Sequence, residues 1–427
     1  MTYYPAQSWI AAPAQAAGRR STLIDYIAGA MAVTILLVFS QGWIAPIFGA
    51  SADPSTGGMI RLIYFPAYAA GLVLLALNAG DVVRVLIRQP VLVLMMCLVV
   101  ASITWSINPG ETMRRVVAIG FTTLSGVALA ARYSWRRLVE ILAIAFGIMC
   151  VLSFVLAVGV PHIGRMPAGS EFPGAWRGLW AEKNSMGDNM AMFMPAFIAA
   201  AIYHPGRRGL WVGMALLCFA LVLLSTSKTS LLALMLAVGA TVFVALVRRG
   251  PAVGVVMTYL AVLVVASAVG AVMLAPAEVF ALVGKDPTLT GRTQIWAAIM
   301  VQVHNHPLLG HGYGTVWTDE SPWAPLAMII KAAHFRPHHA HSSWYEQLLG
   351  LGYVGLTAWS LFFAQTMLTG VVAAFREKGA FLALPFLVVY GLISLTESVT
   401  LTYNDLRWVL FVAIACKLAY PDGSARA

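Results

Sequence analysis

The residues of this sequence that are best suited to chemistry form a group of histidines late in the chain. His334, His338, His339 and His341 follow closely on one another. An imidazole can bind a transition metal or transfer a proton near neutral pH. The group lacks the i, i+4 spacing of a helical zinc pair, and no loop contains an Asp-x-Asp pair of the kind that holds a divalent ion on a sugar nucleotide. We therefore expect no metal and no cofactor.

His341 has the most informative position in this group. It directly precedes a long apolar stretch, 342–372, so its ring is expected at a membrane surface on a rigid helix end. An imidazole held there could take a proton from a hydroxyl group. The alternative is an interfacial amphipathic residue without a chemical role, and position alone does not separate the two.

A second set of candidates consists of cations in the loops between apolar stretches, many of them near the end of a stretch: Arg177, Lys183, Lys228, Arg292 and Arg336. Fixed cations stabilise negative charge that develops on a leaving group. The alternatives are snorkelling to lipid phosphates and, for Lys228, simple capping of a helix end. The pattern favours a site for an anionic substrate that is embedded in the membrane.

The elements that carry these residues must be membrane helices. Of the 427 residues 60% are hydrophobic and 10% are charged, against roughly 25% charged in soluble domains. Apolar stretches long enough to cross a bilayer recur along the chain, without the alternation of a membrane β-barrel. We predict an all-α, polytopic transmembrane protein of about 12 spans. The predicted spans lie near 23–40, 60–78, 91–105, 114–131, 138–160, 188–203, 210–226, 229–247, 252–275, 342–372, 380–396 and 404–420.

The short loops alternate in their Lys and Arg content, which predicts a bacterial inner-membrane protein with both termini cytoplasmic. The largest loop, 276–341 between spans nine and ten, is then extracytoplasmic. Residues 1–427 are expected to form a single integral membrane domain, because no internal repeat or linker is visible. The polar segment 1–20 has no apolar core and is not expected to be a signal peptide. The net charge of +10 is scattered between spans, so nucleic-acid binding is not expected.

Three sequence elements carry a resemblance to a family. His341-Ser342, followed after nine residues by Gly352-Tyr353-Val354-Gly355, resembles the His-[Asn/Ser/Gln]-x9-Gly-x-x-Gly pattern of the O-antigen ligase and Wzy-type polysaccharide polymerase superfamily. The segments 291–296 and 306–314 are similar to the loop that precedes this histidine in the family. The segment 177–187 resembles the Lys-Asn-x-x-Gly element of its exopolysaccharide-polymerase branch. The turn 225–228 resembles the family's Ser-x-Ser-Arg turn, with Lys228 in place of arginine, so the planar phosphate-gripping fork is lost.

The resemblance implies a glycosyltransferase that needs no metal and acts on the outer face of the inner membrane. The donor would be an oligosaccharide linked to a polyprenyl diphosphate such as undecaprenyl diphosphate, and the acceptor a sugar hydroxyl. His341 and Arg292 are the expected catalytic residues. The expected substrate-binding residues are Arg177, Lys183, Asn184, Lys228, Tyr313, Arg336 and His338. Expected partners are the lipid-linked oligosaccharide, membrane lipids, and a chain-length regulator or other polysaccharide-assembly proteins.

Three functions are compatible with this pattern. A polymerase of lipid-linked repeat units in exopolysaccharide or O-antigen assembly is favoured, because the element around Lys183 and Asn184 resembles the exopolysaccharide branch. A ligase that moves a glycan to an acceptor lipid or protein is the first alternative. A transporter of lipid-linked oligosaccharides is the second. Transporters place charges near the bilayer midplane and often consist of two repeated halves, whereas these charges cluster at span ends.

Overall fold

The computed structural model describes residues 22–49, 57–275, 292–318 and 321–422, together with Glu278. These residues are mostly helical and form no strand, although an isolated β-bridge joins Arg165 and Trp176. Among them, seven helices are long and apolar enough to cross a membrane, or eight if a pair that bends by 93° forms one span. The all-α polytopic membrane fold is thus confirmed, whereas the number of about twelve spans stays a prediction.

The first half of the described chain forms nine helices. They are α1 (Leu23–Phe39), α2 (Ile44–Phe48), α3 (Gly57–Leu77), α4 (Ala79–Ile87), α5 (Pro90–Ala101), α6 (Pro109–Arg132), α7 (Trp135–Gly159), α8 (Pro161–Gly164) and α9 (Lys183–Tyr203). The second half adds α10 (Arg208–Leu224), α11 (Lys228–Val247), α12 (Pro251–Leu274), α13 (Arg292–Asn305), α14 (Pro325–Ala333), α15 (Ser343–Ala374), α16 (Ala380–Thr396) and α17 (Leu406–Ala419). The bent pair is α4 followed by α5 and its 3-10 turn.

Helix α9 forms the centre of the bundle. It packs against α7, α10, α11 and α16, and most of its residues are buried. Gly187 permits its close approach to α11, because a Cβ atom at this position would lie 2.5 Å from Ser230 Oγ. The glycine of the Lys-Asn-x-x-Gly element therefore serves helix packing.

Within the large loop, the structure describes residues 292–318 and 321–341, together with Glu278. Residues 293–304 have the periodicity of a helix, with Ile295, Ile299 and Val303 on one side, and the structure confirms it in α13, where these three residues are buried. These side chains form a small second core with Leu348 and Leu349 of α15. The loop thus packs on the first turns of α15, and we call the end of the bundle that it covers the loop face.

Helix α15 is interrupted at Gly352, where the backbone has a positive φ of 64°. A Cβ atom at this position would lie 2.3 Å from the carbonyl oxygen of Leu308. The interruption frees backbone groups that pair with the loop: the N–H groups of His311 and Gly312 donate to the carbonyls of Leu349 and Gly350, at 3.0 and 2.9 Å. The element around 306–314 and the Gly-x-x-Gly element therefore dock on each other and fix the helix start that follows His341.

Candidate functional site

The centre of the candidate site is a pair formed by His341 and Glu397. Nδ1 of His341 lies 3.3 Å from Oε2 of Glu397, which directly follows α16. The backbone of His341 is left-handed, with a φ of 50°. Such a conformation is uncommon for a residue with a side chain and must be held by its surroundings.

Hydrogen bonds from α15 hold both members of this pair. The Oγ of Ser343 donates to the carbonyl of Glu397 at 2.9 Å and accepts from the N–H groups of Val399 and Thr400. This fixes the segment that carries Glu397 against the start of α15. One turn along, the carboxylate of Glu346 accepts from the N–H of Ala340 at 2.7 Å, directly before His341. The side chains of Ser343 and Glu346 therefore hold the backbone next to Glu397 and His341, and so preorganise the pair.

Arg292, the first residue of α13, completes the centre from the large loop. Its Nη2 lies 2.9 Å from Oε1 of Glu397, and its Nη1 donates to the carbonyl of Thr396. Both charged side chains are only 20% exposed. Burial alone would raise the pKa of the Glu397 carboxyl, but the hydrogen bond from His341 and the charges of Arg292, His341 and His339 lower it to about 2. Glu397 is therefore an ionised acceptor at physiological pH.

His339 adds a second imidazole, with its ring centroid 4.0 Å from that of His341. Its Nδ1 accepts a hydrogen bond from the N–H of His341 at 3.1 Å. Burial and the neighbouring His341 lower the pKa of His339 to about 4, so that this ring is neutral at pH 7. A neutral ring that accepts at Nδ1 carries its proton on Nε2.

His339, His341 and Glu397 could together hold a metal ion, since one ligand atom of each lies within 4.8 Å of the others. From the sequence, no metal is expected here. Nδ1 of each ring is already engaged in a hydrogen bond, and Arg292 brings a positive charge to the same carboxylate. These contacts favour proton transfer without a metal over a metal site. Sensitivity of the activity to a chelator distinguishes these two possibilities.

The histidine–carboxylate contact has a direct chemical consequence. An ionised carboxylate can only accept a hydrogen bond, so whenever the His341 ring carries a single proton, that proton lies on Nδ1. Its Nε2 is then free to accept a proton, as in other sites where a carboxylate orients a histidine. Arg292 places a cation on the other side of the same carboxylate. The arrangement can deprotonate a hydroxyl beside a fixed positive charge.

Two of the expected substrate-binding cations lie together where α9 and α11 begin. Nζ of Lys183 is 3.3 Å from both the carbonyl and the hydroxyl oxygen of Thr226, and 3.7 Å from the ring centroid of Phe172. Lys228 is the exposed first residue of α11. Asn184, next to Lys183, is also exposed. The Lys-Asn element therefore lies against the 225–228 turn, with Lys183 buried between them and Asn184 and Lys228 exposed. For these three residues a role in substrate binding stays a prediction.

Other expected site residues are occupied by contacts within the protein. The buried guanidinium of Arg177 donates to the carbonyls of His162, Ile163 and Ala181, at 2.8 to 3.2 Å. The hydroxyl of the buried Tyr313 donates to the carbonyl of Leu401 at 2.5 Å. These contacts favour a structural role for both residues. Arg336 and His338 are exposed in the segment before His341. For all four, a role in substrate binding stays a prediction.

Two acidic residues near the site did not emerge from the sequence analysis. Glu397 joins Arg292 to His341, and the buried Asp188 of α9 accepts a hydrogen bond from Ser230 at 2.7 Å. Asp188 interacts electrostatically with Glu397 and Arg292, so α9 lies close to the centre. A signal was present, because each is an isolated carboxylate within or at the end of an apolar stretch. Such residues are functional candidates by default.

The fold and the site define a multi-pass membrane protein whose histidine–carboxylate–arginine centre lies beneath a helical loop. Residues 213–360 match a family model described as O-antigen ligase, which spans the 225–228 turn, Arg292 and His341. The chain is also similar to the exopolysaccharide production protein ExoQ of Rhizobium meliloti (strain 1021), with 27% identity over 271 residues. This match covers 60% of the present chain and 59% of that protein. The predicted resemblance to the O-antigen ligase and polymerase superfamily is confirmed.

Proposed function

We propose that this protein is a glycosyltransferase that polymerises oligosaccharide repeat units carried on a polyprenyl diphosphate such as undecaprenyl diphosphate. The observation that carries the proposal is the placement of His341 and Arg292 on the two oxygens of Glu397. In the reaction, the bond between the anomeric carbon of the donor and its diphosphate breaks. The acceptor hydroxyl bonds to that carbon and gives its proton to Nε2 of His341. Arg292 stabilises the negative charge on the departing diphosphate.

We favour the polymerase over the ligase because the element around Lys183 and Asn184 resembles the exopolysaccharide branch of the family, and because the chain is similar to a protein named for exopolysaccharide production. The test is to supply the purified protein in lipid nanodiscs with lipid-linked repeat units as its only substrate. A polymerase is expected to produce a ladder of lipid-linked multimers, because each unit is both donor and acceptor. A ligase would form product only after an acceptor lipid or protein is added. The second result would contradict the polymerase, and we would then assign the ligase.

The proposal also requires the loop face to lie outside the cytoplasm, on the outer side of a bacterial inner membrane. Alkaline phosphatase is active only after export, so a fusion after Ser321 is expected to be active. A fusion after Asp422 is expected to be inactive, because both termini are proposed to be cytoplasmic. A β-galactosidase series at the same positions, which should give the opposite pattern, controls for expression. Reversed activities would overturn this placement of the site.

A further inference from the structure

A lateral groove lies between α3 and α6 and is lined by none of the residues that form the centre described above. It has a volume of about 410 Å³ and opens between two helices that are long enough to cross a membrane. Its walls include Phe65, Met113 and Val117, whose side chains are 58%, 49% and 51% exposed. Exposed apolar side chains at this place face lipid, so the groove is open to a hydrocarbon chain from the bilayer.

The end of the lateral groove is strongly basic. Arg61, Arg114 and Arg115 line it together with a single acid, Glu111, which leaves two net positive charges. Glu111 bonds Arg114 at 2.6 Å and Arg115 at 2.8 Å. Among the described residues, Arg61 has no ion pair, although it interacts electrostatically with Glu111. An apolar groove that ends in surplus arginine charge is complementary to a lipid with a multiply charged phosphate head.

The basic end lies on the loop face and is connected to the site. Arg115 donates from Nη1 to the carbonyl of Gly314 at 2.6 Å, in the loop that precedes His341. Tyr403 and Asn404, which also line the groove, belong to the same connecting segment as Glu397. A head group bound at these arginines would therefore lie beside the elements that build the catalytic centre.

We propose that the lateral groove binds the polyprenyl chain and the diphosphate of the acceptor, a second lipid-linked oligosaccharide. The inference rests on the proposed function, because a polymerase must hold two lipid-linked substrates at once. The donor loses its diphosphate at Arg292 and His341, so its phosphates lie at that centre. The acceptor reacts through a sugar hydroxyl and keeps its diphosphate, which must lie at a separate place. Two surplus positive charges suit a diphosphate better than the single charge of a common anionic phospholipid.

The test counts bound undecaprenyl diphosphate by native mass spectrometry of the full-length protein in nanodiscs. The wild type is expected to bind two molecules per chain. The double variant Arg61→Ala/Arg114→Ala is expected to lose one of them, since each lost charge-assisted contact weakens binding by about tenfold or more. Val117→Trp, which fills the groove without changing charge, is expected to lose the same molecule.

Arg84→Ala is the matched control. Like Arg114, Arg84 is a largely exposed arginine that pairs with an acid three residues earlier, but it lies on α4 outside the lateral groove. It should still bind two molecules. Equal counts in the wild type and both groove variants, or displacement by equimolar phosphatidylglycerol, would overturn the proposal. Loss of one molecule in both groove variants would support the groove even if the wild type made no polymer, a result that would overturn only the proposed function.

Discussion

Replacing His341 by alanine is expected to lower turnover about 10²–10⁴-fold, the usual contribution of a general base. The reason is that Glu397 holds the proton of the ring on Nδ1, which leaves Nε2 to accept the proton of the acceptor hydroxyl. Binding of the donor should change little, because the diphosphate is held by cations rather than by this ring. The measurement is single-turnover transfer between lipid-linked repeat units in nanodiscs, with donor binding determined in parallel.

The control for His341 is His304→Ala, which removes an exposed histidine of α13 whose Nδ1 is 2.6 Å from the carbonyl of Met300. His338→Ala is expected to be milder than His341→Ala, since the ring of His338 is exposed and does not occupy the motif position. Thermal stability must be compared, because the left-handed backbone of His341 is held by local contacts. Full activity of His341→Ala would contradict the mechanism. Loss of wild-type activity in EDTA would instead assign His339, His341 and Glu397 to a metal.

The helices and the position of His341 could be predicted because their signals are local. The apolar lengths of the spans and the buried periodicity of α13 depend on residues that are close in sequence. The motif resemblance also placed Arg292 and His341 at one site, and the structure brings both to Glu397. The place of Glu397 at the end of an apolar stretch could mark it as a candidate, but its partners could not be predicted, because they depend on a long-range contact that Ser343 holds through backbone hydrogen bonds. No local pattern encodes such a contact.

The sequence also could not separate cations that face a substrate from cations that hold the backbone. Arg177 and Arg292 both stand in family-like elements outside the predicted spans. The structure gives Arg177 three carbonyl acceptors, whereas Arg292 is bound to one carbonyl and to the carboxylate of the centre. A buried guanidinium must find acceptors wherever the fold offers them, and in Arg177 these come from the turns around it. Only the folded chain shows which acceptors are within reach.

Replacing Arg292 by alanine is expected to lower turnover about 10²–10³-fold, the usual cost of removing one group that stabilises charge in a transition state. Arg292→Lys should restore only part of the activity, because an ammonium group lacks the planar fork that grips a carboxylate and a phosphate. Arg84→Ala, which removes an exposed arginine on α4, controls for the loss of one positive charge. Donor hydrolysis and transfer are both measured, together with the amount of folded protein in the membrane. Normal polymer from Arg292→Ala would contradict any role for this residue in the reaction.

The lower turnover expected for Arg292→Ala has two possible causes, because Arg292 contacts Glu397 as well as the proposed diphosphate. A double-mutant cycle separates these causes. Glu397→Gln keeps the shape of the side chain but removes its charge, which weakens its hold on both His341 and Arg292. If Arg292 acts on the diphosphate, as we propose, Arg292→Ala should cost about as much in the Glu397→Gln background as in the wild type. If Arg292 only positions Glu397, the second substitution should cost nothing further. Turnover with a saturating donor is the quantity to compare, since it isolates the step in which charge develops on the leaving diphosphate.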